Sequence, residues 1–227
     1  FGESLEVLPG DPDFLAFRAM PEYQTGEFAQ GVPFAEQSID AIRPSMFTHT
    51  PGFKYHAAVN LAIVGRITGE LVGSDVLEAT INATLSSSTA TPEMRLIAGS
   101  GLALISEQQS RGTSAQAQYA AMQIAQHTFA AFISGDRVLG LLAHTMGSLD
   151  QATGHFEDAL AFCRKAGYRP ELAWTCCDYA DMLRERDADG DRAKATSLLD
   201  ESLAISSELG MRPLMERVLS RREILGA

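Results

Sequence analysis

Residues Gly147–Pro170 read GSLDQATGHFEDALAFCRKAGYRP, and the rhythm of this stretch decides the fold. Ala152, Phe156, Ala159, Leu160 and Cys163 fall at helical spacing on one face. Ser148 and Gln151 stand at the spacing of a capping box, which predicts that Ser148 caps this helix with its side chain. Gly167 is placed to end the helix in the left-handed conformation, and Pro170 to open the next. Gly147, Ala152, Leu160, Gly167 and Pro170 return as Gly190, Ala195, Leu203, Gly210 and Pro213, each 43 positions later. Ala195, Leu199 and Leu203 again form an apolar face. The repeating unit is therefore a helix pair with its connections, and the small alanines mark where two helices approach closely.

Weaker echoes lie upstream. Gly26–Ile39 has the same glycine-then-helix form, with Pro33 straining its interior. Ser74 or Asp75 is expected to cap one helix, and Thr91, followed by Pro92 in the first turn, another. Thr113 and Gln116 repeat the capping-box spacing. Phe14–Tyr23, His56–Arg66 and Arg137–Met146 complete an expectation of roughly eleven helices. Ser100 and its flanking glycines sit in an apolar helical run, where small residues allow close packing. Short breaks and the lack of a low-complexity linker make residues 1–227 one all-α domain, with the clearest repeats at 135–169 and 170–212 and a closing helix at 213–225.

Composition agrees. Hydrophobic residues make up 45% and aromatics only 7%, a mix suited to closely packed helices rather than a β-sandwich. The net charge of −11 argues against direct contact with nucleic acid, which needs a basic face. No apolar run approaches the ~18 residues that read as a membrane span. Three cysteines, two of them adjacent, make poor material for a disulfide framework and fit a reducing cytoplasm. The opening FGESLEVLPGDPD has neither an initiator Met nor the features of a signal peptide, and reads as the start of a segment of a longer protein.

Leu139–Gly140, Gly147, Ala152, Phe156 and Ala159 resemble the tetratricopeptide-type repeat. A second copy is looser: Trp174 and Tyr179–Ala180 supply its first helix, and Leu199 and Ser202 replace the aromatic and the second alanine. The 43-residue offset exceeds the family's usual period of about 34 residues through longer exit loops. Residues 155–219 also resemble the C-terminal helical repeats of large bacterial signalling proteins, which pair such arrays with nucleotide-cyclase, ATPase or helix-turn-helix domains. The resemblance implies a right-handed α-solenoid of antiparallel helix pairs. It implies a protein-interaction or sensory module of a bacterial regulator, with a protein or peptide partner that includes other domains of the parent protein. A free-standing adaptor or a small-molecule receptor is the alternative, and an enzyme is disfavoured.

No catalytic constellation, cofactor motif or metal-ligand spacing stands out. There is no G-x-x-x-x-G-K-[ST] loop, and Gly99–Ala103 is not a nucleophile elbow. Cys163, Cys176 and Cys177, with His144 or His155, follow no zinc pattern and read as buried hydrophobes. The Glu157–Asp158 pair reads as a solvated face. Phe129, Phe132, Phe156 and Phe162 are expected in the core. Trp174 is expected to pack against the preceding helix pair, with a ligand-facing position as the alternative. Counting along the first helix of each repeat places Tyr23, Arg66, His144 and Arg184 along a groove, a locally basic channel for an acidic peptide. The competing view is that these are ordinary solvated positions.

Overall fold

The computed structural model describes residues 10–43, 54–109, 112–130 and 132–226, without the side chains of 112 and 113. They form eleven α-helices and one small hairpin: α1 Pro12–Thr25, α2 Phe28–Ile42, α3 Tyr55–Thr68, α4 Ser74–Ser86, α5 Pro92–Gln108 and α6 Gly112–Met122. After a 3-10 turn at Gln123–Ala125 come β1 Phe129–Ala130 and β2 Ile133–Ser134, then α7 Gly135–Thr145, α8 Leu149–Ala166, α9 Arg169–Arg186, α10 Asp191–Leu209 and α11 Arg212–Gly226. The described residues are all-α apart from that antiparallel two-stranded pair.

The 43-residue offset is a real structural repeat at its loop. Gly167 and Gly210 both take the left-handed conformation, at φ +76° and +68°. The next residue in each copy donates its N–H back into the helix, Tyr168 to the Cys163 carbonyl at 3.0 Å and Met211 to that of Ser206 at 2.9 Å. This is the glycine-terminated helix end that satisfies otherwise orphaned carbonyls. Pro170 and Pro213 then sit at the second position of α9 and α11.

Helix starts follow the sequence less closely. Thr91 caps α5 as expected, its hydroxyl accepting from the Met94 N–H at 3.2 Å. Ser148 precedes α8 but makes no side-chain cap, because its ψ of 65° lies outside the extended region that aims a capping oxygen at the first turn. Its N–H instead closes the preceding helix on the Ala143 carbonyl at 2.9 Å. Neither Ser74 nor Asp75 caps α4; Gly73 does, and Ser74 is already helical. The Thr113 cap lies outside the described side chains. Pro33 is carried within α2.

The helices lie in two layers. Each odd-numbered helix contacts the next odd one, from α1 through α3, α5, α7 and α9 to α11, and α11 returns to touch α1 and α3. Each even-numbered helix packs against its sequence neighbours on the outside of this series. The expected faces are inside: Ala152, Phe156, Ala159, Leu160 and Cys163 are buried on α8, as are Ala195 and Leu199 on α10, while Leu203 is half-buried. Gly140 leaves room for the Phe156 ring, which a Cβ there would meet at 3.0 Å. Phe156 in turn stacks on Tyr179 at 5.3 Å between centroids. Ser100 is buried and bonds back to the Leu96 carbonyl at 3.0 Å, so it serves packing.

Candidate functional site

The inner series of helices encloses a cavity of about 440 Å³ with a mainly apolar wall. Phe17, Met20, Pro21 and Gln24 of α1 line one side, Ile63, Arg66 and Ile67 of α3 and Leu104 of α5 the next, and Arg137 of α7 with α9 the rest. Helix α9 is buried from Glu171 through Ala180, as expected for a helix packed on all sides. Its residues Glu171, Trp174 and Asp178 fall at i, i+3 and i+7, so one stripe of this helix carries two carboxylates and the indole.

Those carboxylates are matched by cations from other helices. Arg137 donates from Nε to Asp178 at 2.8 Å and from Nη1 to Glu171 at 2.6 Å. Arg66, in the last turn of α3, donates from Nη2 to Asp178 at 2.8 Å and pairs through Nη1 with Glu107. The second Glu171 oxygen accepts the Ser134 N–H at 2.8 Å. Burial alone would raise the Asp178 pKa, but Arg66 and Arg137 pull it down to about 2. Glu171 moves upward, because burial outweighs the help it receives from Arg137. Arg217 of α11 lies 4.9 Å over the Trp174 ring and donates to the carbonyl of Arg66 at 2.9 Å. Two guanidinium groups, Arg66 and Arg137, are thus paired with three carboxylates, and of this network Arg66, Arg137 and Glu171 line the cavity. Such buried pairs are held by mutual compensation, and each partner becomes costly once the other is removed.

The rim is aromatic. Phe129 stacks on Tyr168 at 4.1 Å, and Phe17 meets Phe132 at 5.6 Å. Phe132 has φ +66°, a conformation that a bulky residue adopts only at a cost of order 1–3 kcal/mol. The hairpin thus holds a strained phenylalanine, about half exposed at 48%, at the cavity's edge.

The structure redistributes the residues singled out in the sequence. Of the four groove positions only Arg66 lines this cavity. Tyr23 is buried on the Phe28 ring at 5.5 Å and lines a second cavity between α1, α2, α3 and α11. His144 and Arg184 line neither; His144 bonds Glu185 at 2.7 Å, and Arg184 is exposed beside Asp181 at 3.8 Å. The expected basic channel is absent at Arg66, where Asp178 and Glu107 neutralise the guanidinium. Phe156 is core, but Phe129 and Phe132 are rim residues. Glu157 is more than a solvated carboxylate, since it accepts the Tyr179 hydroxyl at 2.8 Å and pairs with Lys194. Trp174 is 4% exposed, lines the cavity, and bonds Gln24 of α1. Arg137, Glu171 and Asp178 went unnoticed in the sequence; two carboxylates flanking a tryptophan on an otherwise buried helix are the signal that marks them.

Comparison with protein-family models finds no match, and comparison with curated proteins and with solved structures finds none either. Among the described residues no helix is long and apolar enough to cross a membrane.

Proposed function

We propose that the chain is a sensory module: a tetratricopeptide-like, right-handed solenoid of antiparallel helix pairs whose concave face is bent into a receptor for a small, uncharged, mainly apolar molecule. The observation that carries this reading is the 440 Å³ cavity itself, with an apolar wall, a few convergent polar groups and a strained aromatic rim. Its volume lies in the ordinary range for small-molecule sites, roughly 300–1,000 Å³. The pairing of both lining arginines favours a neutral ligand, because an anion would have to compete with Glu171 and Asp178 for the same guanidinium groups. Within a larger bacterial regulator, ligand uptake would order the inner helices and pass that change to a neighbouring domain. No catalysis is part of this reading.

A protein-partner role is the second reading. It rests on the exposed Phe14, Phe17, Phe28 and Val32 of α1 and α2.

Trp174 is the only tryptophan, so its fluorescence reports on the cavity directly. Titration with the neutral apolar probe N-phenyl-1-naphthylamine is expected to show saturable energy transfer at one probe per chain. An Ile63→Phe substitution that fills the cavity is expected to weaken it about tenfold or more, through loss of space for the probe. Non-saturable binding, or equal binding by the filled variant, would overturn the receptor reading.

A further inference from the structure

A second cluster lies away from the cavity's charged floor, where the turn before β1 meets α7 and α8. Asp136, in the first turn of α7, is fully buried. Its Oδ2 accepts the backbone N–H of His127 at 2.7 Å and lies 3.3 Å from that residue's Nδ1. Its Oδ1 has no hydrogen-bond partner. His155 of α8, 7% exposed, bonds the Tyr119 hydroxyl through Nε2 at 2.8 Å. Its Nδ1 also lacks a hydrogen-bond partner and faces Asp136 Oδ1 at 3.9 Å. One ligand-type atom from each of His127, Asp136 and Asp158 lies within 4.8 Å of the other two. Asp158 and His155 stand three apart on α8 and so share a face.

Among the described residues neither Asp136 nor Asp158 is paired with a lysine or arginine. A buried carboxylate with one oxygen unsatisfied is costly, and here two carboxylates converge with imidazoles and no fixed positive charge. His127 is held at φ +57°, a conformation uncommon for a non-glycine residue, and Thr128 accepts the Gly135 N–H at 3.0 Å.

We propose that His127, Asp136 and Asp158 bind one divalent transition-metal ion, with zinc as the fitting member of the class and His155 supporting Asp136 from behind. Imidazole nitrogen with carboxylate oxygen suits zinc and its neighbours, whereas calcium takes six to eight oxygens. Asp136 is the fixed anchor in the interior. His127 and Asp158 are exposed, which gives the ion a path from solvent. The ion would tie the hairpin carrying Phe129 and Phe132, which form the rim of the proposed ligand pocket, to α8.

The test uses the full chain stripped of metal and titrated with zinc chloride by calorimetry, with cobalt as the absorbing substitute. One zinc per chain and visible cobalt bands are expected. His127→Ala and Asp158→Asn alter exposed side chains only; each is expected to weaken zinc binding by about tenfold or more, with unchanged far-ultraviolet circular dichroism. Failure of the stripped chain to bind zinc overturns the proposal. So does zinc binding of equal strength in wild type and both variants, which would place the ion elsewhere. Calcium or magnesium binding as tightly as zinc would overturn the assigned metal class.

Discussion

The Trp174 indole of α9 donates its N–H to the Gln24 side-chain oxygen of α1 at 3.0 Å, joining positions 150 apart in the chain. Both residues line the cavity, so this bond fixes the distance between two of its walls. Gln24→Ala is expected to leave a buried indole N–H without an acceptor and to lower stability by about 1–3 kcal/mol. Gln30→Ala, on the exposed part of α2, is the control and should change little. Urea unfolding of the two variants gives the comparison.

Acid should unfold the protein partly through Asp178. Its folded pKa of about 2 lies below the ordinary carboxylate value, so its stabilising contribution is complete above about pH 4 and is lost as pH falls towards 2. The expected loss is about 2 kcal/mol on the acid limb of a stability–pH curve. Asp178→Asn should lack this component. At neutral pH the variant should nevertheless be weaker by about 3–5 kcal/mol, because Arg66 and Arg137 lose their shared counter-charge.

Two substitutions on α8 should move stability in opposite directions. Ala159 is fully buried where helices touch, so Ala159→Leu overpacks the contact and should cost about 1–3 kcal/mol. Gly154 is an exposed position in the same helix, and a Cβ there meets nothing within 4 Å. Gly154→Ala should therefore stabilise by about 0.5–1 kcal/mol, since alanine restricts the unfolded chain. Thermal melts of both variants decide the point.

The three cysteines should be silent in the native protein. Burial pushes the Cys163 and Cys177 thiols up to about 12, and Cys176 upward as well, so the reactive thiolate is scarce near neutral pH. A thiol reagent such as dithionitrobenzoate is expected to label the native chain negligibly at pH 8 and to label all three sites in guanidinium. Rapid native labelling at Cys163 would contradict the burial of the α8 face.

Much of the helical order was legible because it is written locally. Gly167 and Gly210 end helices by backbone conformation alone, and the face of Ala152, Phe156 and Ala159 follows from periodicity. Caps were read less well: Ser148 has the right neighbours, but the closing turn around Gly147 consumes its backbone in another conformation. The cavity was illegible for a different reason. Arg66, Arg137, Glu171, Asp178 and Gln24 come from α3, α7, α9 and α1, and only tertiary packing brings them together. Counting along helices found Arg66 but assigned it company, His144 and Arg184, that belongs elsewhere. The same holds for His127 and Asp158, whose meeting at Asp136 depends on a turn with no sequence signature.

The return of α11 to α1 changes what kind of object the array is. In an open stack each unit touches only its neighbours, and an end can fray alone. Here freeing either α1 or α11 also breaks the join between them. Part of that closure is polar: Arg212 donates to the Thr25 carbonyl at 2.8 Å and pairs at 2.6 Å with Glu27, just beyond α1, both on the surface. Exposed ion pairs are weak and screened by salt, whereas apolar contacts are not. The molecule is a bracelet with a clasp, and ionic strength acts on the Arg212–Glu27 pair beside that clasp while leaving the apolar links intact.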